Sequence, residues 1–136
     1  MKSLAWLSRL PLLAALFLVW LASGCAPAVG IEQPVIQEEL AFTPGSSAGQ
    51  TFAARYAGLS GITLWLHPLQ PGDGSLHLRL YAVLQPDVVL AESALPLESL
   101  DGPGYYRFDF PPIQASNQQG YYAEIFQEGP GQVSLG

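Results

Sequence analysis

Short segments in which apolar and polar residues alternate, separated by turns rich in Gly and Pro, dominate the chain after residue 37. The 136 residues include 14 glycines and 12 prolines, and no amphipathic helical pattern follows residue 25. A period of two is typical of strands with one buried face. The chain is therefore predicted to form an all-β domain, an antiparallel β-sandwich of the jelly-roll type. The alternating segments are 50–56, 62–67, 75–81, 105–110 and 120–127.

The remaining predicted strands are shorter or less regular. A first strand is expected over 35–42, a short apolar strand over 88–92, and a last strand that begins at Gln132. Pro111 and Pro112 are expected to end the strand that begins at Tyr105, since proline cannot donate a ladder hydrogen bond.

Segments 62–67 and 75–81 are predicted to form a hairpin around the Pro- and Gly-containing turn 68–74. This pairing would place Trp65 opposite His77 on the outward face. Exposed aromatic rings flanked by hydrogen-bond donors suit stacking on a sugar. An alternative is that the aromatic residues only cover the sheet, because strands favour them. The predicted ligand-binding residues are Trp65, His77, Arg79 and Tyr81.

The first 24 residues have the three parts of a secretory leader. Lys2 and Arg9 give a positive start, residues 10–22 are apolar, and small residues precede Cys25. The apolar part is shorter than the roughly 20 residues that a membrane-spanning helix needs. Residues 1–24 are therefore predicted to be a helical signal peptide.

The sequence Leu-Ala-Ser-Gly-Cys at residues 21–25 resembles the lipobox of bacterial lipoproteins, with Ala22 where leucine is commonest. The resemblance implies that prolipoprotein processing enzymes attach diacylglycerol to the Cys25 sulfur and cut before this residue. Two acyl chains would give a stable anchor in the cell membrane or outer membrane, on the extracytoplasmic side. Residues 25–37 would then be the lipidated cysteine and a flexible tether, and residues 38–136 the sandwich domain.

The strand order between Gly49 and Gln127 resembles galactose-binding-like and carbohydrate-binding-like sandwich modules of bacterial surface proteins. The resemblance implies a sandwich fold and a carbohydrate ligand, which we take as expectations. It is carried by the segments GQTF, GLSGITLWL, LHLRLY, YRFDFPPI and QGYYAEI.

Composition and motifs exclude several functions. After residue 24 the chain has three arginines, no lysine and all eleven acidic residues, which argues against nucleic acid as a partner. His67, His77 and Asp73 match no metal-ligand spacing, and no nucleophile elbow, zinc-protease motif or phosphate loop is found. A pair of carboxylates for glycoside hydrolysis remains an alternative, but scattered solvated acids explain these residues more simply. No cofactor or metal is expected.

The leading interpretation is a non-enzymatic, lipid-anchored module at the cell surface that binds carbohydrate or an envelope protein. A second interpretation is that the chain is the N-terminal accessory or spacer module of a longer envelope enzyme. The start of a strand at Gln132, four residues before Gly136, motivates this second interpretation.

Overall fold

The computed structural model describes residues 39–136, in which alternating sequence segments form eight strands. One short 3₁₀ turn, Leu97–Ser99, follows the fifth strand. The strands are β1 (Leu40–Phe42), β2 (Ser47–Ala53), β3 (Leu59–Gln70), β4 (Ser75–Ala82), β5 (Gln85–Pro96), β6 (Gly104–Ile113), β7 (Gly120–Glu128) and β8 (Gln132–Leu135).

The eight strands form two antiparallel sheets of four strands each. The first sheet has the order β1-β8-β3-β6 and the second has the order β2-β7-β4-β5. Of the consecutive strands, only β4 and β5 are neighbours in one sheet, so every other connection crosses from one sheet to the other. This is the jelly-roll arrangement, and it confirms the predicted all-β antiparallel sandwich.

The core lies between the two sheets and follows from the alternation within the strands. Leu76, Leu78 and Leu80 on β4 are fully buried, as is Leu66 on β3. They belong to one cluster with buried aromatic residues from other strands, among them Phe108. Burial of a leucine side chain contributes roughly 1.5–3 kcal/mol, so these inward rows stabilise the sandwich and leave the alternate residues on the two outer faces.

The predicted hairpin between segments 62–67 and 75–81 is wrong. Strand β3 pairs with β6 and β8 in the first sheet, whereas β4 pairs with β5 and β7 in the second. The leucines of both strands do face a common core, but from opposite sides of it. The connecting loop packs on another loop: a Cβ at Gly72 would lie 2.2 Å from the Pro130 carbonyl oxygen. This close approach accounts for the glycine at that position.

Several strand ends also differ from the prediction. Strand β2 ends at Ala53, and the backbone N–H of the next residue, Ala54, donates to the Gln119 carbonyl oxygen in a neighbouring loop. Strand β6 continues to Ile113, since it is an edge strand and a bulge accommodates its two prolines. Strand β5 has twelve residues where a short run was predicted. The predicted leader, Cys25 and the tether lie outside the described residues.

Candidate ligand-binding face

Strand β4 places three of the four predicted site residues on one surface. His77, Arg79 and Tyr81 alternate with the buried leucines and project from the outer face of the second sheet. Their neighbours on β7 project in the same direction. We call the outer face of β4, β5 and β7 the aromatic face. The register across it pairs His77 with Phe126, Arg79 with Glu124, and Tyr81 with Tyr122.

Trp65 does not lie on the aromatic face, so the expectation that it faces His77 is wrong. It belongs to β3 in the first sheet, in register with Tyr105, while Thr63 pairs with Arg107. The alternation had correctly placed Trp65 outward. It could not show that β3 and β4 lie in different sheets, because an outward residue has the same sequence pattern in either sheet.

The Phe126 ring is held by two side chains of β4. The His77 ring stacks on it with the centroids 5.1 Å apart and the planes 13° from parallel. The Arg79 Cζ atom lies 4.4 Å from the Phe126 centroid, and Arg79 Nη2 donates to Glu92 Oε1 at 3.3 Å. These contacts stabilise the outer face of the sheet. They also occupy the Phe126 ring, which is therefore less available to a ligand.

Two tyrosines occupy the other end of the aromatic face. The rings of Tyr81 and Tyr122 lie 6.1 Å apart, with their planes inclined by 36°. The Tyr122 ring fills the place where a side chain of Gly49 would stand, since a Cβ there would come within 2.1 Å of the Tyr122 hydroxyl. Tyr122 thus lies across the neighbouring strand β2 and remains 37% exposed. Its ring offers the open apolar surface that a sugar can stack on.

Glu124 lies between the two tyrosines and Arg79. Its Oε2 accepts a hydrogen bond from the Tyr81 hydroxyl at 3.2 Å. Burial and, after it, the negative charge of Glu124 raise the pKa of Tyr81 above its ordinary value, so the Tyr81 hydroxyl remains a donor at neutral pH. Although Arg79 is in register with Glu124, its ion pair goes to Glu92.

The outer face of the first sheet has a different character. Trp65 meets Tyr105 edge to face, with the centroids 5.2 Å apart and the planes at 75°. The Trp65 Nε1 atom is buried and has no hydrogen-bond partner within residues 39–136. The nearby charged groups are paired, since Arg107 donates to Asp109.

Glu39 adds a second polar cluster to this face, where the described chain begins. Its Oε2 accepts a hydrogen bond from the buried Ser134 hydroxyl and lies 3.3 Å from His67 Nδ1. The Ser134 hydrogen bond, with a smaller contribution from His67, holds the pKa of Glu39 below its ordinary value. The cluster joins the residue before β1 to β3 and β8.

The predicted ligand-binding residues do not include four residues of this surface: Tyr122, Glu124 and Phe126 on β7, and Glu92 on β5. The alternation of segment 120–127 does predict that Tyr122, Glu124 and Phe126 share one side. The sequence does not show that β7 pairs with β4, because this contact is long-range: Tyr81 and Glu124 are 43 residues apart.

Elsewhere the described domain has an exposed apolar run at the β4–β5 turn, which includes Val83, Leu84 and Val88, and an open cleft. A cleft of about 260 Å³ at the opposite end of the sandwich from the β4–β5 turn is open to solvent, and it is lined by residues 68–72, 97, 98, 100 and 132. No group of three or more potential metal ligands occurs within residues 39–136. The same residues include no helix long and apolar enough to cross a membrane.

Comparison with known proteins finds no protein family and no curated sequence that matches this chain.

Proposed function

We propose that this protein is a non-enzymatic, lipid-anchored β-sandwich that binds carbohydrate at the cell surface through the aromatic face. The observation that carries this proposal is the Tyr122 ring, which is laid across Gly49 and left with exposed apolar surface beside Tyr81. An aromatic ring of this kind offers an apolar surface with a polar rim. Glu124, two residues along the same strand, supplies an acceptor for sugar hydroxyls next to it.

The anchor is the second part of the proposal. The lipobox-like residues 21–25 support attachment of diacylglycerol to Cys25 and retention in the cell membrane or outer membrane. The described domain begins at residue 39, so the segment between it and Cys25 can reach at most ~3.5 Å per residue from the lipid surface. A domain on a tether of this kind can present its sheet face to extracellular glycans or to the envelope itself.

Saccharide binding is tested with two matched aromatic variants on opposite sheets. Tyr122→Ala removes the proposed stacking ring and is expected to weaken binding on a glycan array by about five- to thirtyfold, since stacking and hydrogen bonding to one aromatic residue contribute about 1–2 kcal/mol. Trp65→Ala removes a ring from the other face and should leave saccharide binding unchanged. Loss of binding in Trp65→Ala alone would place the site on the first sheet and refute the proposal.

The anchor is tested by metabolic labelling with a fatty-acid probe. The wild-type protein should take up the label and partition with membranes, whereas Cys25→Ala should do neither. Equal labelling of the two proteins, or no labelling of the wild type, would refute lipidation at Cys25 without bearing on saccharide binding.

A further inference from the structure

Glu124 differs from the other carboxylates of the aromatic face in what surrounds it. Glu92 pairs with Arg79 at 3.3 Å, and Glu128 lies 3.6 Å from His77 Nε2. Glu124 has only the neutral Tyr81 hydroxyl as a partner, and no basic side chain within residues 39–136 forms an ion pair with it. Its carboxylate therefore has no direct ion pair within the described residues, and the nearest guanidinium, that of Arg79, is shared with Glu92 and the Phe126 ring.

The position of Glu124 relative to the stacking ring is fixed by the register. Glu124 is paired with Gly49 on β2, and Gly49 is the residue that the Tyr122 ring covers. The carboxylate therefore stands beside the ring of Tyr122, two residues along the same strand. A sugar stacked on Tyr122 would bring its substituents within reach of Glu124.

We propose that the ligand is a saccharide that carries a protonated amino group, with the sugar ring on Tyr122 and the ammonium on Glu124. This inference rests on the proposed carbohydrate-binding function. A charge-assisted hydrogen bond to an ammonium is shorter and stronger than one to a hydroxyl, and the neighbouring tyrosine rings add a favourable field for a cation.

The overall charge of the aromatic face favours the same class of ligand. It carries Glu92, Glu124 and Glu128 against one arginine, Arg79, whose guanidinium is already engaged by Glu92 and Phe126. Sugars with carboxylate, sulfate or phosphate groups would meet like charges. Neutral sugars can stack and form hydrogen bonds, but they leave the Glu124 charge without a counterion.

The experiment compares three tetrasaccharides that share β-1,4 linkage and differ at one substituent: glucosamine, N-acetylglucosamine and glucose. Each is titrated calorimetrically at pH 6 into the full-length protein in detergent micelles. The glucosamine oligomer is expected to bind about tenfold more tightly than the other two. Raising the salt concentration to about 0.5 M should reduce this preference, because the interacting charges are partly exposed.

Two variants with equal changes in net charge locate the effect. Glu124→Gln keeps the size and an acceptor oxygen but removes the charge, so the preference for glucosamine should fall to about twofold or less. Asp109→Asn makes the same change in net charge on the outer face of the first sheet and should keep the full preference. Circular dichroism spectra of both variants that match the wild type establish that the sandwich is folded.

The outcomes separate this inference from the function on which it rests. Equal binding of all three oligomers, or a glucosamine preference that survives Glu124→Gln, would overturn the inference and leave carbohydrate binding standing. A wild-type protein that binds none of the three and no other glycan on an array would overturn the proposed function itself.

Discussion

The two outer faces of the sandwich are built from the same strand alternation, but they use their polar groups differently. On the first sheet Asp109 is paired with Arg107 and Glu39 with His67, and the Trp65 ring is covered at its edge by Tyr105. On the second sheet Tyr122 keeps an exposed ring. On the first face the charged groups are paired within the protein, although Tyr105 is 58% exposed and Trp65 Nε1 has no hydrogen-bond partner within residues 39–136. The second face differs in that Glu124, a carboxylate without an ion pair in the described residues, lies beside its exposed ring.

One glycine on each face shows the same contrast. At each glycine, a side chain of the neighbouring strand occupies the space that a Cβ would fill. On the second sheet Tyr122 lies over Gly49, and on the first sheet the Arg107 guanidinium lies over Gly61. The glycine accommodates the Tyr122 ring on the second sheet and the Arg107–Asp109 ion pair on the first. The position of the Tyr122 ring on the aromatic face therefore depends on the absence of a side chain at residue 49.

The largest expected effect is on the free energy of unfolding, which should depend more on Trp65 than on Tyr122. Trp65→Ala should lower the free energy of unfolding by about 2 kcal/mol, because it removes a half-buried aromatic side chain and its contact with Tyr105. Tyr122→Ala should cost about 1 kcal/mol or less, because its ring is more exposed. Urea unfolding followed by circular dichroism measures both. The contrast between the faces would be broken if Tyr122→Ala proved the more destabilising change.

A pair of glycine substitutions gives a second, smaller effect. In Gly49→Ala the new Cβ displaces the flexible end of Tyr122, so saccharide affinity should fall about tenfold while the unfolding free energy changes by less than about 1 kcal/mol. In Gly61→Ala the new Cβ displaces the Arg107 guanidinium, which lies 2.7 Å away, and affinity should stay at the wild-type value. Equal affinities in the two variants would mean that the position of Tyr122 does not matter for binding.

The smallest expected effect is a dependence on pH at the Glu39 cluster of the first sheet. The pKa of Glu39 is lowered in the fold from its ordinary value of 4.5, so the ionised carboxylate stabilises the native state above that value. This contribution is lost as the pH falls through the lowered pKa.

Urea unfolding at pH 6 and pH 3 tests the Glu39 cluster with the variant Glu39→Gln. The wild type should be the more stable protein at pH 6, and its advantage over Glu39→Gln should become smaller at pH 3. A stability difference that stays constant between the two pH values would show that ionisation of Glu39 has no such role.

Sequence alone could predict the sandwich and, for β4, the side of the strand that faces the core, since its leucines repeat every two residues. It could not do so for the apolar run 88–92, in which Val88, Val89 and Leu90 are exposed. It could not assign strands to sheets. The jelly-roll crossover places β3 and β4 in different sheets although only four residues join them, and local periodicity is the same in either case.

The residues of the candidate site follow only in part from the sequence, for the same reason. His77, Arg79 and Tyr81 were placed together because they share one strand, and this holds whatever the pairing. Glu124 was not joined to them, because the β4–β7 contact is long-range. The Glu39–Ser134 contact, which spans 95 residues, is likewise set by the fold as a whole and leaves no local signal in the sequence.

The central claim is that the aromatic face of the second sheet, and not the outer face of the first, binds saccharide. It is tested most directly by ¹⁵N-resolved NMR spectra of the full-length protein in micelles, recorded while the β-1,4-linked glucosamine tetrasaccharide is added. The backbone amides of Tyr81, Tyr122 and Glu124 should shift in a saturable manner, while the amides of Tyr105 and Arg107 and the indole N–H of Trp65 stay in place. Saturable shifts centred on Trp65 and Tyr105, with β4 and β7 unaffected, would contradict the claim.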